Sequence, residues 1–441
     1  MANRVVKVGL VGFGTVGSGV AKIILDQADS IEQRTGLRLE LARVVDVDTT
    51  SQRQVTLPTG ILTDDLARLL GDDSIQIGIE LIGGTDVAKD IQMKMLAAGK
   101  DVVTANKALL AEYGSGLFKA ALAAGRCIAF EASCAGGIPI ISGLRTGLSA
   151  NEITAMYGIV NGTCNYILSS MTDKDLGFAE ALAQAQQKGY AEADPTLDIN
   201  GTDTAHKLVI MASIAFGCEI ELEDVFVEGI EAISKDDIRF GQEMGYVLKL
   251  LAIGCRDADG RISLRVHPSF IPKGTSLARV DGSFNAVSVF GSAVGQVMYY
   301  GRGAGMMPTA SAVVADVIDV ALGNAGRSFS QLRLQSHEKV APLIDKIDNL
   351  VTRFYVRFMV KDQPGVFAQI GRILAENEIS ISGVIQHEGS GPANTVPVVI
   401  TTHRTHQGKV TAALADLEAL EMVCTKPVCI RIVDIPEDKE T

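Results

Sequence analysis

"VKVGLVGFGTVGSGVAKIIL" (residues 6–25) decides the fold. A short Val-rich run ends in three glycines, Gly12, Gly14 and Gly17, in G-x-G-x-x-G register, and an apolar helical run follows. In a strand–turn–helix of this kind Gly12 permits the tight turn and Gly14 lets a pyrophosphate approach the backbone. Gly17 lets helix and strand pack closely, with the phosphates facing the helix N-terminus. The stretch predicts a site for a nicotinamide dinucleotide. The second strand ends "VVDVDTTSQR" (44–53), where Asp46 or Asp48 can accept bonds from ribose hydroxyls and repel a 2′-phosphate. That favours NAD, while Arg53 could clamp such a phosphate, so NADP stays open. Asp46 lies further from the glycines than usual, which implies a longer first helix–loop segment.

Outward from this stretch, "SIQIGIELIG" (74–83), "KDVVTA" (100–105) and "RCIAFEAS" (126–133) repeat the apolar strand pattern, with helical stretches such as "DIQMKMLAAG" (90–99) between them. Strands alternating with helices predict an α/β Rossmann-type parallel sheet domain over residues 1–138. Residues 139–325 have longer helices and less regular strands and form a second, α+β domain. Within it "GRISLRVHPSFIP" (260–272) alternates like a strand with one exposed face. The apolar helix 309–322 is expected to pack back onto the first domain. Residues 326–350 read as a linker. Residues 351–441 follow the order strand-helix-strand-strand-helix-strand, with a Gly-rich turn between the middle strands, which is the ferredoxin-like arrangement.

Of the 441 residues, 47% are apolar and 21% charged, and the net charge is −12 with no cluster of Lys and Arg. A nucleic-acid or anionic-membrane partner is disfavoured, since both need basic patches. The amino terminus runs directly into a strand, and no apolar run reaches membrane-spanning length, so a cytoplasmic location is expected. The seven cysteines contain no Cys-x-x-Cys pair, which fits reduced thiols and indicates no zinc ribbon. "HRTH" (403–406) has metal-like spacing but no further ligands nearby and reads as a solvated turn.

Two places carry candidate chemistry. Lys107 follows a strand end, where open parallel sheets bind ligands. "AEADPTLDINGTDTAHKLVIM" (191–211) crowds Glu192, Asp194, Asp198, Asp203 and Lys207 against a helix that is apolar on all sides. Asp203 and Lys207 are four residues apart and share a face. Such a site could hold an ammonium through its carboxylates while Lys207 exchanges a proton with an alcohol. Lysine normally titrates near pH 10.4, roughly, so alcohol oxidation would be favoured at high pH. Cys134, after a strand, offers an alternative, the thiol nucleophile of a cysteine-dependent semialdehyde dehydrogenase, which would need a base such as His206. A small buried residue beside a Gly-rich bend is the plainer reading of Cys134.

The motifs "GLVGFGTVGSGV", "VVTANKALLA", "EASCAGGIPII", "GIVNGTCNYIL", "GYAEADPTLDINGTDTAHKLVI" and "GRGAGMMPTASAVVADV", in this order, resemble homoserine dehydrogenase. "VKDQPGVFAQIGRILAENEISISGVIQ" resembles an ACT domain. The resemblance implies reversible NAD(P)-dependent oxidation of L-homoserine to L-aspartate 4-semialdehyde, on the route to threonine, methionine and isoleucine. It implies Lys207 as acid/base, Asp203 and Asp198 orienting substrate and lysine, Glu192 holding the amino-acid end, and Lys107 touching cofactor and substrate. Phe13, Thr15 and Val16 would line the pyrophosphate turn, Thr104 of the "TANK" match would lie at the cofactor, and Gly305 on the nicotinamide side. A sodium ion held by backbone oxygens of Glu131, Cys134, Gly136 and Ile138 is also implied. "VVDVD" has Val47 where many relatives show an Arg-Asp pair, which supports NAD. The ACT resemblance implies an amino-acid effector, threonine first, near Asp362 to Gly365 with Asn377 opposite. A dimerisation module without a ligand, or a non-catalytic amino-acid sensor, are the alternatives. The assembly expected is a homodimer or homotetramer.

Overall fold

The computed structural model describes residues 4–331, 342–387 and 395–436. The chain begins with β1 (Arg4–Val11), α1 (Thr15–Asp26), α2 (Ala28–Thr35), β2 (Leu37–Val45), β3 (Leu62–Thr63), α3 (Ala67–Leu70) and β4 (Ile75–Glu80). There follow α4 (Asp86–Ala97), β5 (Asp101–Thr104), α5 (Lys107–Ala123) and β6 (Ile128–Ala129). These six strands form one parallel sheet in the order β3-β2-β1-β4-β5-β6. Val6, Val8 and Leu10 of β1 are wholly buried, as expected of an inner strand covered on both faces. The order reverses direction between β1 and β4, and open sheets bind ligands at the strand ends beside such a reversal. The second helix α2 accounts for the long spacing from the glycines to Asp46.

The middle of the chain contains α6 (Ile140–Ser142), β7 (Ile153–Ile159), α7 (Gly162–Lys174), α8 (Phe178–Gln187), α9 (Thr196–Ile199) and α10 (Thr202–Phe216). Next come β8 (Phe226–Val227), α11 (Lys235–Glu243), β9 (Tyr246–Arg256), β10 (Ile262–Pro272), β11 (Phe284–Gly291), β12 (Gly295–Arg302), α12 (Met306–Ala321) and α13 (Asn324–Gln331). The last part is β13 (Val351–Lys361), α14 (Val366–Glu376), β14 (Ile381–Ile385), β15 (Thr395–Thr402), β16 (Thr405–His406), α15 (Gln407–Glu418) and β17 (Val428–Ile432).

Two compact units interleave along the chain. One gathers residues 1–155, 203–224 and 284–342; the other gathers 156–202, 225–283 and 343–441. In the first unit α12 lies against α1. A Cβ on Gly19 would stand 2.9 Å from the Ala310 Cβ and 3.0 Å from the Met306 carbonyl, so the two backbones approach closely. Residues 326–331, expected as linker, continue α13; residues 332–341 of that linker lie outside the described set.

In the second unit β17, β13, β15 and β14 lie side by side in that order, with α14 and α15 supplying Ile370, Ile373, Val410 and Leu417 to the core beneath. This is the ferredoxin-like module expected at the C-terminus; its Gly-rich turn, residues 388–394, is outside the described set. β10 pairs antiparallel with β9 along its whole length and parallel with β17 at Ser269 and Phe270. Its expected exposed face is therefore buried: Arg265, His267 and Ser269 are 7%, 0% and 0% exposed. Alternation alone does not distinguish a face turned to water from one turned to packed protein. Among the described residues no single helix is long and apolar enough to cross a membrane.

Candidate active site

The glycine turn between β1 and α1 has a steric reason at each position. Gly12 has φ +95°, and a Cβ there would meet the Leu81 carbonyl oxygen at 2.7 Å, in the turn after β4. A Cβ on Gly17 would come within 2.0 Å of the Gly12 oxygen. Around Gly14 there is open space to 4 Å, and Gly14 and Thr15 are exposed while Phe13 is buried. Two closed glycines flanking one open one, at a helix N-terminus, fit a dinucleotide pyrophosphate. Asp46 fastens this turn from β2: one carboxylate oxygen accepts a short hydrogen bond from the Phe13 amide and the other accepts from the Asp48 amide at 2.9 Å. Arg53 lies 3.1 Å from Asp48 and 4.0 Å from Asp46.

The floor beside this turn is polar and buried. Glu80, at the end of β4, accepts from Gln92 Nε2, Thr104 Oγ1 and the Ile82 amide, each at 2.8 Å. Burial raises the Glu80 carboxyl above its ordinary range, against the pull of those donors. Asn106 caps α5 by accepting from the Leu109 amide and donates to the Gly84 carbonyl at 2.7 Å. The cap fixes where α5 starts, and with it the position of Lys107.

Lys107 and Lys207 converge on one carboxylate. Lys107 Nζ is 2.7 Å from Asp203 Oδ1, and Lys207 Nζ is 2.6 Å from Asp203 Oδ2. Asp203 and Lys207 occupy successive turns of α10, whose residues are buried nearly throughout. Asp203 is 5% exposed, and burial by itself would favour its neutral form; the two ammoniums outweigh that and hold the carboxyl well below its usual range. Burial pushes the His206 imidazole down, opposed by Asp203 and Glu112. A cavity of about 480 Å³ runs between α5 and α10, yet its lining begins at Leu110 and Val209 and leaves out Lys107 and Lys207. Charge and strand-end position, more than cavity size, make the lysine pair the candidate site.

The loop 131–138 lies beside α10. Cys134 is fully buried, its thiol 3.7 Å from the Lys207 carbonyl as donor, and burial pushes it up to about 12. A thiol so held is neither a nucleophile nor a soft metal ligand. The Glu131 carboxylate accepts from the Ile141 and Ser142 amides at 2.7 and 2.8 Å, while its own amide donates to Asp316 at 2.7 Å. Burial raises Glu131, and it drives Asp316 well above the carboxylate range, with Glu131 adding to the effect. Ala135 and Gly136 both have positive φ, 53° and 51°, and a Cβ on Gly136 would collide with the Gly303 oxygen at 2.4 Å. With the carboxylate and thiol so engaged, backbone oxygens are the remaining donors of this loop, and that donor set fits a hard monovalent cation such as sodium. Gly305, exposed and at φ +122°, opens α12 two residues beyond Gly303.

In the second unit, Glu192 and Asp194 are exposed, and Asp194 accepts from the Thr196 amide and hydroxyl at the start of α9. Asp198 accepts from Asn161 Nδ2 at 2.7 Å, while Asn161 Oδ1 caps α7 at the Cys164 amide. In the C-terminal module Gly365 opens α14 with φ +92° and Asn377 closes it, donating to the Ile373 carbonyl. The two stand about 16 Å apart along 11 helical residues, so one chain does not bring them together. Sequence reading missed Glu80, Asn106, Asn161 and Asp316. Asn106 and Asn161 carried a legible signal, an Asn three residues before the amide it caps.

Comparison with known proteins agrees with this geometry. The profile "Homoserine dehydrogenase, NAD binding domain" matches residues 12–131, "Homoserine dehydrogenase" matches 139–318, and "ACT domain" matches 354–420. Homoserine dehydrogenase of Neisseria gonorrhoeae is 42% identical over 426 residues, 96% of this chain and 97% of its own length. The Helicobacter pylori homologue is 43% identical over 425 residues, 96% and 98% of the two chains. The chain belongs to the homoserine dehydrogenase family.

The crystal structure of the Thiobacillus denitrificans homoserine dehydrogenase superposes with a TM-score of 0.89 at 42% identity, covering 98% of this chain and 99% of that one. An archaeal homoserine dehydrogenase mutant in complex with NADPH has a TM-score of 0.61 at 25% identity, covering 73% and 98%. As a homoserine dehydrogenase the chain is an oxidoreductase with a nicotinamide cofactor, acting between L-homoserine and L-aspartate 4-semialdehyde, and it carries a C-terminal ACT domain. The cysteine-dependent dehydrogenase and the non-catalytic sensor are not favoured.

Proposed function

We propose that Lys207 is the proton carrier of the reaction and Asp203 the residue that aims it. The observation that carries this reading is the carboxylate clasped between Lys207 and Lys107 at the buried start of α10. The nicotinamide, when bound, supplies or accepts the hydride. Lys207, in contact with Asp203, donates a proton to the semialdehyde oxygen in reduction and takes the hydroxyl proton back in oxidation. Oxidation releases a proton overall, so higher pH favours that direction. Lys107 is assigned to contact cofactor and substrate, Asp198 to orient the substrate, and Glu192 to hold its amino-acid end. The test is nicotinamide absorbance with L-homoserine in wild type and Lys207→Ala. Loss of about a hundredfold or more in kcat is expected from a folded variant; a variant within threefold of wild type would sink the assignment.

The cofactor turn comprises Gly12, Phe13, Gly14, Thr15, Val16 and Gly17, with Thr104 and Gly305 at its margins. NAD is the proposed dinucleotide: the charges of Asp46 and Asp48 after β2 disfavour a 2′-phosphate, and Arg53 is engaged by Asp48. The archaeal relative's NADPH complex is the argument for the other choice. In Asp46→Asn the ratio of kcat/KM for NAD over NADP should fall; an unchanged ratio removes Asp46 from cofactor choice.

A sodium ion would be held by the backbone oxygens of Glu131, Cys134, Gly136 and Ile138. Functionally the chain reads as residues 1–138 for cofactor, 139–325 for catalysis and dimerisation, and 351–441 for regulation by an amino acid, threonine first, near Asp362 and Gly365. It works as a cytoplasmic homo-oligomer.

A further inference from the structure

The buried polar face of β10 holds an uncompensated charge. Ser269 Oγ and His267 Nδ1 satisfy one another at 2.9 Å, but His267 Nε2 has no hydrogen-bond partner among the described residues. Next along the same face, Arg265 is 7% exposed. Its Nη1 donates to Ser263 Oγ at 2.8 Å, its Nε is buried without a partner, and no carboxylate among the described residues lies within ion-pair distance. A guanidinium does not shed its proton, and a buried charge without a counter-charge is costly.

Arg265 lines a cavity of about 110 Å³ together with Tyr157, Thr352, Arg404, Arg431 and Asp434. Arg431 is 4% exposed; it spends Nε on Gln407 and Nη1 on Glu228, at 2.8 and 2.7 Å. Arg404 is exposed and donates Nη2 to the Val351 carbonyl at 3.2 Å. Asp434 is the acid of the lining, and it is already bonded by Arg353. Three guanidiniums thus face one committed carboxylate, in a chain whose net charge is −12. Burial, with Arg431 and Arg265 adding to it, holds His267 well below its ordinary value, as a positive local field requires. One water needs roughly 10–15 Å³, so the space takes a group several times larger. Guanidinium donors match the oxygens of phosphates and carboxylates in spacing and charge.

We propose that this cavity binds a small oxyanion of phosphate or carboxylate type, with Arg265 as its buried anchor and Arg404 at its mouth. The bound anion links β10 to the β13–β17 side of the ACT module and stabilises that junction.

The test titrates inorganic phosphate into the full chain by calorimetry and follows thermal unfolding, with sodium chloride at matched ionic strength as control. Acetate in parallel separates the two ligand types. Wild type should show saturable binding and a rising transition temperature, with at least tenfold weaker binding in Arg265→Met. Arg404→Gln changes an exposed residue and should fold as wild type while binding several-fold more weakly; it decides the matter if Arg265→Met fails to fold. Absence of saturable heat with both anions, or equal gains in wild type and variants, as a general salt effect would give, overturns the proposal.

Discussion

Replacing Asp203 by Asn tests stability and catalysis together. The change keeps shape and one oxygen acceptor but removes the charge that both lysines face at 2.6 and 2.7 Å. The Lys207 side chain is 11% exposed, so this half behaves as a buried pair, and removing one partner costs about 3–5 kcal/mol. The Lys107 side chain is 41% exposed; solvent screens that half to about 1 kcal/mol or less. The amide oxygen recovers one hydrogen bond, about 1 kcal/mol. A net loss of about 3 kcal/mol lowers the transition of a unit of roughly 150–250 residues by about 6–12 °C.

The pH dependence has a definite sign. The Asp203 carboxyl is depressed in the folded state, so its contribution is complete above the unfolded value near 3.9, roughly, and is lost as pH falls below it. The gap between wild type and variant should hold steady around neutral pH and shrink under acid, as scanning calorimetry would record. With the ammonium no longer aimed, kcat for homoserine oxidation should fall about a hundredfold. An unchanged transition at pH 8 together with kcat within threefold of wild type would refute the reasoning.

Two neighbouring glycines should behave differently. Gly14→Ala has room for its methyl and should fold with wild-type stability while the KM for the dinucleotide rises about tenfold or more, as initial rates will show. Gly17→Ala puts its methyl 2.0 Å from a backbone oxygen and should lower the thermal transition whether or not cofactor is present. Cys134→Ala should keep activity within a few-fold of wild type with a modest loss of stability, about 1 kcal/mol; an inactive, folded protein in the absorbance assay would revive the thiol nucleophile.

The parts of this molecule that could be read in advance are those whose cause is local. The glycine turn shows its spacing within six residues, and Asp203 and Lys207 declare their shared face by spacing alone. The ferredoxin-like module follows from six short periodic runs. Other features depend on contacts far apart in the chain. Lys107 meets Asp203 across nearly a hundred positions, and the Glu131 amide finds Asp316 across 185. Neither leaves a trace in periodicity. The polar residues of β10 misled for a related reason: Arg265, His267 and Ser269 look like a wet face until β9, β17 and the ACT module are placed around them. Carbonyl donors such as those of the 131–138 loop have no residue signature at all.

The interleaving of the two units has a consequence for how the chain is made. The cofactor-binding unit is not complete until residues 284–342 have been added. At about 5–20 residues per second, α12 emerges some 15–60 seconds after the first glycine of the cofactor turn. Until then the face of α1 around Gly19, which α12 covers, has no partner helix. Synthesis must therefore carry a sheet whose six strands are complete by residue 129 but whose α1 face lacks its α12 cover until residue 321, and cutting the gene between the units would free neither of them to fold.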